Sequence, residues 1–407
     1  MNVLAASRDA FRARIDQGWA ADQSVVLRYR RAVRFLEDPD RDARLRELLG
    51  RTSIREGARL LPLLHHRGVA LHVLDETSRM HTRTLKSIDG CVTTAFCVLD
   101  GGGPVVFESG GNTGSALAAY GERAGIETYF FCPAENVPLL NSRRFSSPGS
   151  HLVAVEKPGF VKEAAYAFAR RTGFRHVPDR AWRHAASVLR GCFLAERAFE
   201  GERFDWVVQT VSAAFGPIGV FRVLEHFGSE LAPVPRFLGI QQDANCPMYR
   251  AWKGQGAPGV PQGPAPLEST SGLLSRVMYD AAPQTYETYG HLDELLRRTG
   301  GDLGLVDRRD FEARLDRAFG GKTLLELLGE HGVPIAVSGG EVLEKTGLLA
   351  LVGALKAIDG GRIPAGSRVL CCLTSGASDA DGRARPECTV ASEEDVVRYA
   401  AERGGAP

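Results

Sequence analysis

Neither sign of charge dominates this chain: 50 Lys and Arg stand against 49 Asp and Glu in 407 residues. Without a net field to draw a polyanion or an anionic surface, no nucleic-acid and no membrane partner is expected. Basic stretches such as Arg28 to Arg34 are mixed with apolar neighbours and read as solvated helix faces. Long hydrophobic runs are missing too. Leu348 to Leu355 is far too short for a membrane span and reads as a buried helix. The opening Met1 to Gln17 carries Arg8, Asp9, Arg12, Arg14 and Asp16, so it shows no apolar signal core, and a cytoplasmic location is expected. The eight cysteines lack CxxC spacing, and several sit inside apolar runs. They are expected to pack in a reducing compartment, with no metal site. Cys371 and Cys372 are adjacent and should point to opposite faces of a strand. No repeat of fixed period is visible.

What is present is a regular alternation. From Pro104 onward, short β-rich runs alternate with helix-like segments, which argues for an α/β architecture with largely parallel sheets. The region before, about Ala6 to Leu49, is dense in Arg, Asp and Ala and reads as helical. Between Lys253 and Thr270, four prolines and four glycines mark a loop, read as a surface connection or a mobile lid.

Three strand-to-loop junctions stand out. Pro104 to Phe107 leads into Glu108-Ser109-Gly110-Gly111-Asn112-Thr113-Gly114. An alanine-rich helix follows, stopped by Gly125, and then a strand to Cys132. Asp205 to Val211 leads into Ser212-Ala213-Ala214-Phe215-Gly216, and Arg368 to Leu373 leads into Thr374-Ser375-Gly376. In open α/β sheets, ligands bind at the carboxyl ends of strands, where these loops fall. Taken singly each has a bland reading as a cap, a tight connection or a turn. A lone lysine such as Lys86 is normally a surface charge.

Together the segments resemble a known family. Val73-Leu74-Asp75-Glu76-Thr77 followed by Thr82-Arg83-Thr84-Leu85-Lys86 looks like the threonine synthase stretch "K-x-E … T-G-S-F-K". Ser109 to Ala118 is similar to that family's "S-S-G-N-T-G-x-A-L-A", and this is the strongest single match. Tyr129 to Asn136 continues the likeness. Val207 to Val211 with its following loop resembles the phosphate-binding loop, and Leu373 to Gly376 the "L-T-G" segment. The likeness covers about Arg51 to Asp379. It implies a pyridoxal 5'-phosphate (PLP) enzyme of fold type II, in the tryptophan synthase β-like superfamily, of threonine synthase or cysteate synthase type.

The resemblance assigns roles that the chemistry accepts. A lysine must form a Schiff base and move protons, which would be Lys86. Backbone N–H groups must hold the phosphate, which would be those of Ser212, Ala213, Ala214, Phe215 and Gly216. Asn112 would bind the ring 3-oxygen, and Thr374 (or Ser375, if the alignment is one off) would face the pyridine nitrogen. Ser109, Gly110, Gly111 and Thr113 would surround the substrate carboxylate. Two departures matter. Arg83 replaces a glycine beside the lysine; read blandly it points outward into solvent, and read functionally it would pair with a substrate phosphate. Ala213 and Ala214 replace glycines, though alanine enters positive φ only at a cost.

The expected activity is elimination or replacement at the β or γ carbon of an activated, O-phosphorylated amino acid, as in threonine synthase. The alternative is β-replacement on O-phosphoserine, as in cysteate or cysteine synthase. Two other classes compete: a non-catalytic binding protein on the same fold, and a nicotinamide dehydrogenase. The dehydrogenase is disfavoured because GGNTG lacks the G-x-G-x-x-G that lets backbone approach a pyrophosphate. The expected organisation is an N-terminal helical extension (1–50), a large domain (51–95 and 190–407) and a small inserted domain (96–189), in a homodimer.

Overall fold

The structure, a computed structural model, describes residues 3–177, 180–231, 233–254, 269–279, 289–333, 335–376 and 383–404. The N-terminal region is three helices rather than one helical block: α1 (Arg8–Arg14), α2 (Val25–Tyr29) and α3 (Pro39–Thr52). Each starts where a side chain, Ser7, Ser24 or Asp38, accepts a first-turn N–H. Pro39 at the head of α3 also cannot continue a preceding helix. The short antiparallel pair β1 (Val3–Leu4) and β2 (Val33–Arg34) ties the region together. Phe11, Val25, Tyr29, Leu45 and Leu49 are fully buried in the main core.

Two sheets organise the rest. The larger contains β3 (Arg59–His66), β4 (Val69–Asp75), β9 (Trp206–Thr210), β10 (Arg236–Gln242), β11 (Asp302–Val306) and β14 (Arg368–Leu373), in the order β11-β10-β9-β14-β4-β3. All neighbours are parallel except β3 and β4, joined antiparallel through Arg67-Gly68, both at positive φ. The smaller sheet is all parallel: β5 (Val105–Glu108), β6 (Thr128–Pro133), β7 (Ser150–Val155), β8 (Arg175–His176) and β15 (Cys388–Val390), in the order β15-β7-β6-β5-β8. A two-residue pair, β12 (Val337–Ser338) with β13 (Glu341–Val342), stands apart. Cys371 and Cys372 do face opposite ways on β14, into two different core clusters.

Five helices matter for the site: α4 (Lys86–Leu99), α5 (Asn112–Ala124), α6 (Val161–Thr172), α7 (Arg180–Phe199) and α8 (Phe215–His226). The expected boundaries at 95/96 and 189/190 fall inside α4 and α7, because both helices pack in the core as single rods. The expected assignment of 190–407 to one unit also needs correction. β15 pairs with β7 at the edge of the smaller sheet. Val396, Tyr399 and Ala400 of the last helix (Glu393–Glu402) are buried with Val161, Ala164 and Phe168 of α6. The proline- and glycine-rich loop read between 253 and 270 lies outside the described residues from 255 to 268.

Candidate active site

Lys86 is the first residue of α4. Three local bonds hold it there. Thr84 Oγ1 accepts from the Lys86 N–H at 3.0 Å. Thr82 N–H donates to Ser87 Oγ at 2.9 Å. Leu85 N–H donates to the Thr374 carbonyl at 2.9 Å, which ties the lysine loop to the end of β14. Downstream, Ile88, Cys91, Val92 and Ala95 are buried, so the helix cannot rotate without exposing them. The Lys86 ammonium reaches Asp89 Oδ2 at 2.6 Å. Arg83 does not join it. Its backbone takes φ 60°, the left-handed region, and its Nη1 donates to the Ser78 carbonyl at 2.6 Å. Arg83, expected to meet the substrate, is not among the residues that line the cavity described below; its guanidinium meets the Ser78 carbonyl.

The glycine-rich loop after β5 faces the lysine. Ser109 Oγ accepts from the N–H groups of Gly111 and Gly114, at 3.1 and 3.0 Å. Helix α5 begins on Gly111 without a side-chain cap of its own. Gly111 has φ 151°, and Asn136 Nδ2 donates to the Gly110 carbonyl at 2.9 Å. A Cβ on Gly110 would stand 2.6 Å from the Val277 carbonyl oxygen. The Asn112 amide makes no hydrogen bond among the described residues, so it is available to a ligand.

The loop after β9 mirrors this arrangement. Ala214 is the residue before α8 and takes φ 60°, ψ 3°, a left-handed conformation costing a non-glycine residue about 1–2 kcal/mol. Alanine therefore does adopt the conformation that seemed to require glycine. No side chain caps α8, so its first N–H groups are left for an anion, favoured by the helix dipole. Ser212 Oγ donates to the Met278 carbonyl at 3.3 Å. His184 stands edge-on to Phe215, ring centroids 5.0 Å apart. Burial, with His291 and the Arg222 guanidinium nearby, pushes its pKa down to about 4, keeping it neutral.

At the end of β14 the two hydroxyls divide. Ser375 Oγ donates to Glu344, a half-buried carboxylate that also accepts from the Thr346 N–H at 2.8 Å. Burial pushes the Glu344 pKa up. The Thr374 hydroxyl has no partner among the described residues.

These loops close on one cavity of about 450 Å³ between the two sheets. Lys86, Ser109, Gly110, Gly111, Asn112 and Thr113 line it. So do Ser212, Ala213, Ala214, Phe215, Gly216, Thr374 and Ser375. Of the residues singled out in the sequence, Arg83 alone is left out. Three polar residues of the cavity wall are not marked by any motif in the sequence. Lys162 and Tyr166 reach the cavity from α6, and Arg183 from α7, its guanidinium 5.4 Å above the Phe215 ring. Glu76 was visible only as part of a motif; it forms a fully buried pair with Arg190, both bonds 2.5 Å.

The uncapped α8 terminus, the polar β14 end and a lysine in the same cavity fit a phosphorylated pyridine aldehyde. Two parallel-dominated sheets flanked by helices, with that donor set between them, define a PLP enzyme of fold type II. The chain belongs to the family of pyridoxal-phosphate dependent enzymes, whose pattern matches residues 46–291. No curated protein matches it. Among solved structures it is similar to a T.th. threonine deaminase, at 18% identity and TM-score 0.54, covering 78% of this chain and 93% of that one. A PLP-dependent aspartate racemase gives 14% identity and TM-score 0.57, covering 83% and 95%. An O-acetyl serine sulfhydrylase isoform 3 from Entamoeba histolytica gives 15% and 0.52, covering 87% and 95%. At such identities the likeness shows the fold alone.

Proposed function

We propose that this protein is a lyase or synthase that eliminates or replaces a leaving group at the β or γ carbon of an activated amino acid. The observation that carries this is the single cavity holding Lys86, the Asn112 amide, the α8 terminus and a Thr374 hydroxyl with no partner among the described residues. Bound there, PLP supplies an electron sink that acidifies the substrate α-proton. Lys86 Nζ would take that proton. Ser109, Gly110, Gly111 and Thr113 would surround the carboxylate, while Asn112 would orient the ring oxygen. Ser212 to Gly216 would hold the cofactor phosphate. Thr374 would meet the ring nitrogen, and a neutral hydroxyl suits elimination better than a carboxylate does.

The substrate is read as O-phosphorylated, on the threonine synthase likeness. Its phosphate would meet Lys162 and Arg183 on the cavity wall, since Arg83 does not reach it. The holoenzyme is expected to release inorganic phosphate from O-phosphohomoserine or O-phosphoserine. Preference for O-acetylserine would remove the phosphate from this reading. Release that requires an added sulfur nucleophile would favour the cysteate or cysteine synthase type.

A further inference from the structure

The salt bridge between Lys86 and Asp89 is not used by the chemistry above. On an exposed helix face such an i,i+3 pair would be a minor solvated contact. Here Asp89 is only 4% exposed, and its partner lines the cavity. A further charge facing Asp89 is Arg190 of α7, itself bound to Glu76 just after β4, with the buried thiol of Cys372 on β14 beside that pair. A buried carboxylate within hydrogen-bond reach of a cavity-lining lysine has a fixed target.

We propose that Asp89 is the positioning residue that receives Lys86 each time a substrate amine displaces it from the cofactor. The inference rests on the reading of Lys86 as the Schiff-base lysine. In that exchange a substrate ammonium and a protonated Lys86 Schiff base give a protonated substrate Schiff base and a Lys86 ammonium. One C=N bond forms as the other breaks, and protons and charge balance. The freed ammonium would have three N–H groups to donate, whereas a protonated Schiff-base nitrogen would have one. Asp89 therefore binds the freed lysine better than the bonded one, and only such a difference shifts an equilibrium.

The test uses L-alanine, which offers an amine and a carboxylate but no leaving group. Holoenzyme is titrated with it, quenched with borohydride, and the pyridoxyl label on Lys86 is compared with the label on alanine by mass spectrometry. Asp89→Asn is expected to raise the alanine concentration for half displacement about tenfold or more, while Asp89→Glu stays near wild type. An unchanged midpoint in Asp89→Asn overturns the inference. Should that variant fail to fold, Asp89→Glu decides, since a tenfold shift with the charge retained overturns it equally. If the wild-type label is not on Lys86 before alanine is added, the Schiff-base reading itself fails.

Discussion

The loops after β5 and β9 do similar work with different latitude. Both end a parallel strand, open a helix without a side-chain cap, and face one cavity. In the first, Gly110 is pressed against the backbone of Val277, so any side chain meets a carbonyl that cannot step aside. In the second, Ala214 sits at φ 60° and loses only backbone ease. Glycine is indispensable where two backbones meet and replaceable where only a dihedral is asked for. Arg83, at the same φ beside the lysine, follows the second rule.

The sharpest way to break this comparison is Gly110→Ala. Its Cβ would displace the loop or the Val277 segment, and a shift near 1 Å at a positioning loop costs on the order of a hundredfold in turnover. Wild-type turnover would show that the contact yields. A smaller effect is expected at His184, which packs against Phe215 of the loop after β9. Its pKa is lowered to about 4, so between about 6.5 and 4 the unfolded chain binds a proton that the folded one refuses. Stability should fall as pH drops through that window, and His184→Gln should flatten the fall in Tm. A parallel acid limb in the variant would assign the loss elsewhere. The smallest change is Ala214→Gly, which should keep cofactor affinity and alter stability by no more than about 1 kcal/mol, strain relief being offset by chain entropy. A tenfold loss of cofactor affinity would mean that the alanine methyl does more than tolerate its dihedral.

The three loops were legible because each is a string of small and polar residues after an apolar strand, a pattern set within a dozen residues. What escaped was set by distant partners. Arg183 and Lys162 reach the cavity from helices whose local sequence only says amphipathic. Arg190 and Glu76 meet across 114 residues. β15 is three residues long and joins the smaller sheet only through β7. Arg83 lies outside the cavity lining for a local reason that spacing does not reveal: its backbone is left-handed and its guanidinium meets the Ser78 carbonyl.

The account stands on one lysine. Borohydride reduction of the holoenzyme followed by peptide mapping is expected to place the pyridoxyl group on the peptide containing Lys86. A label on another lysine, or none, would contradict it.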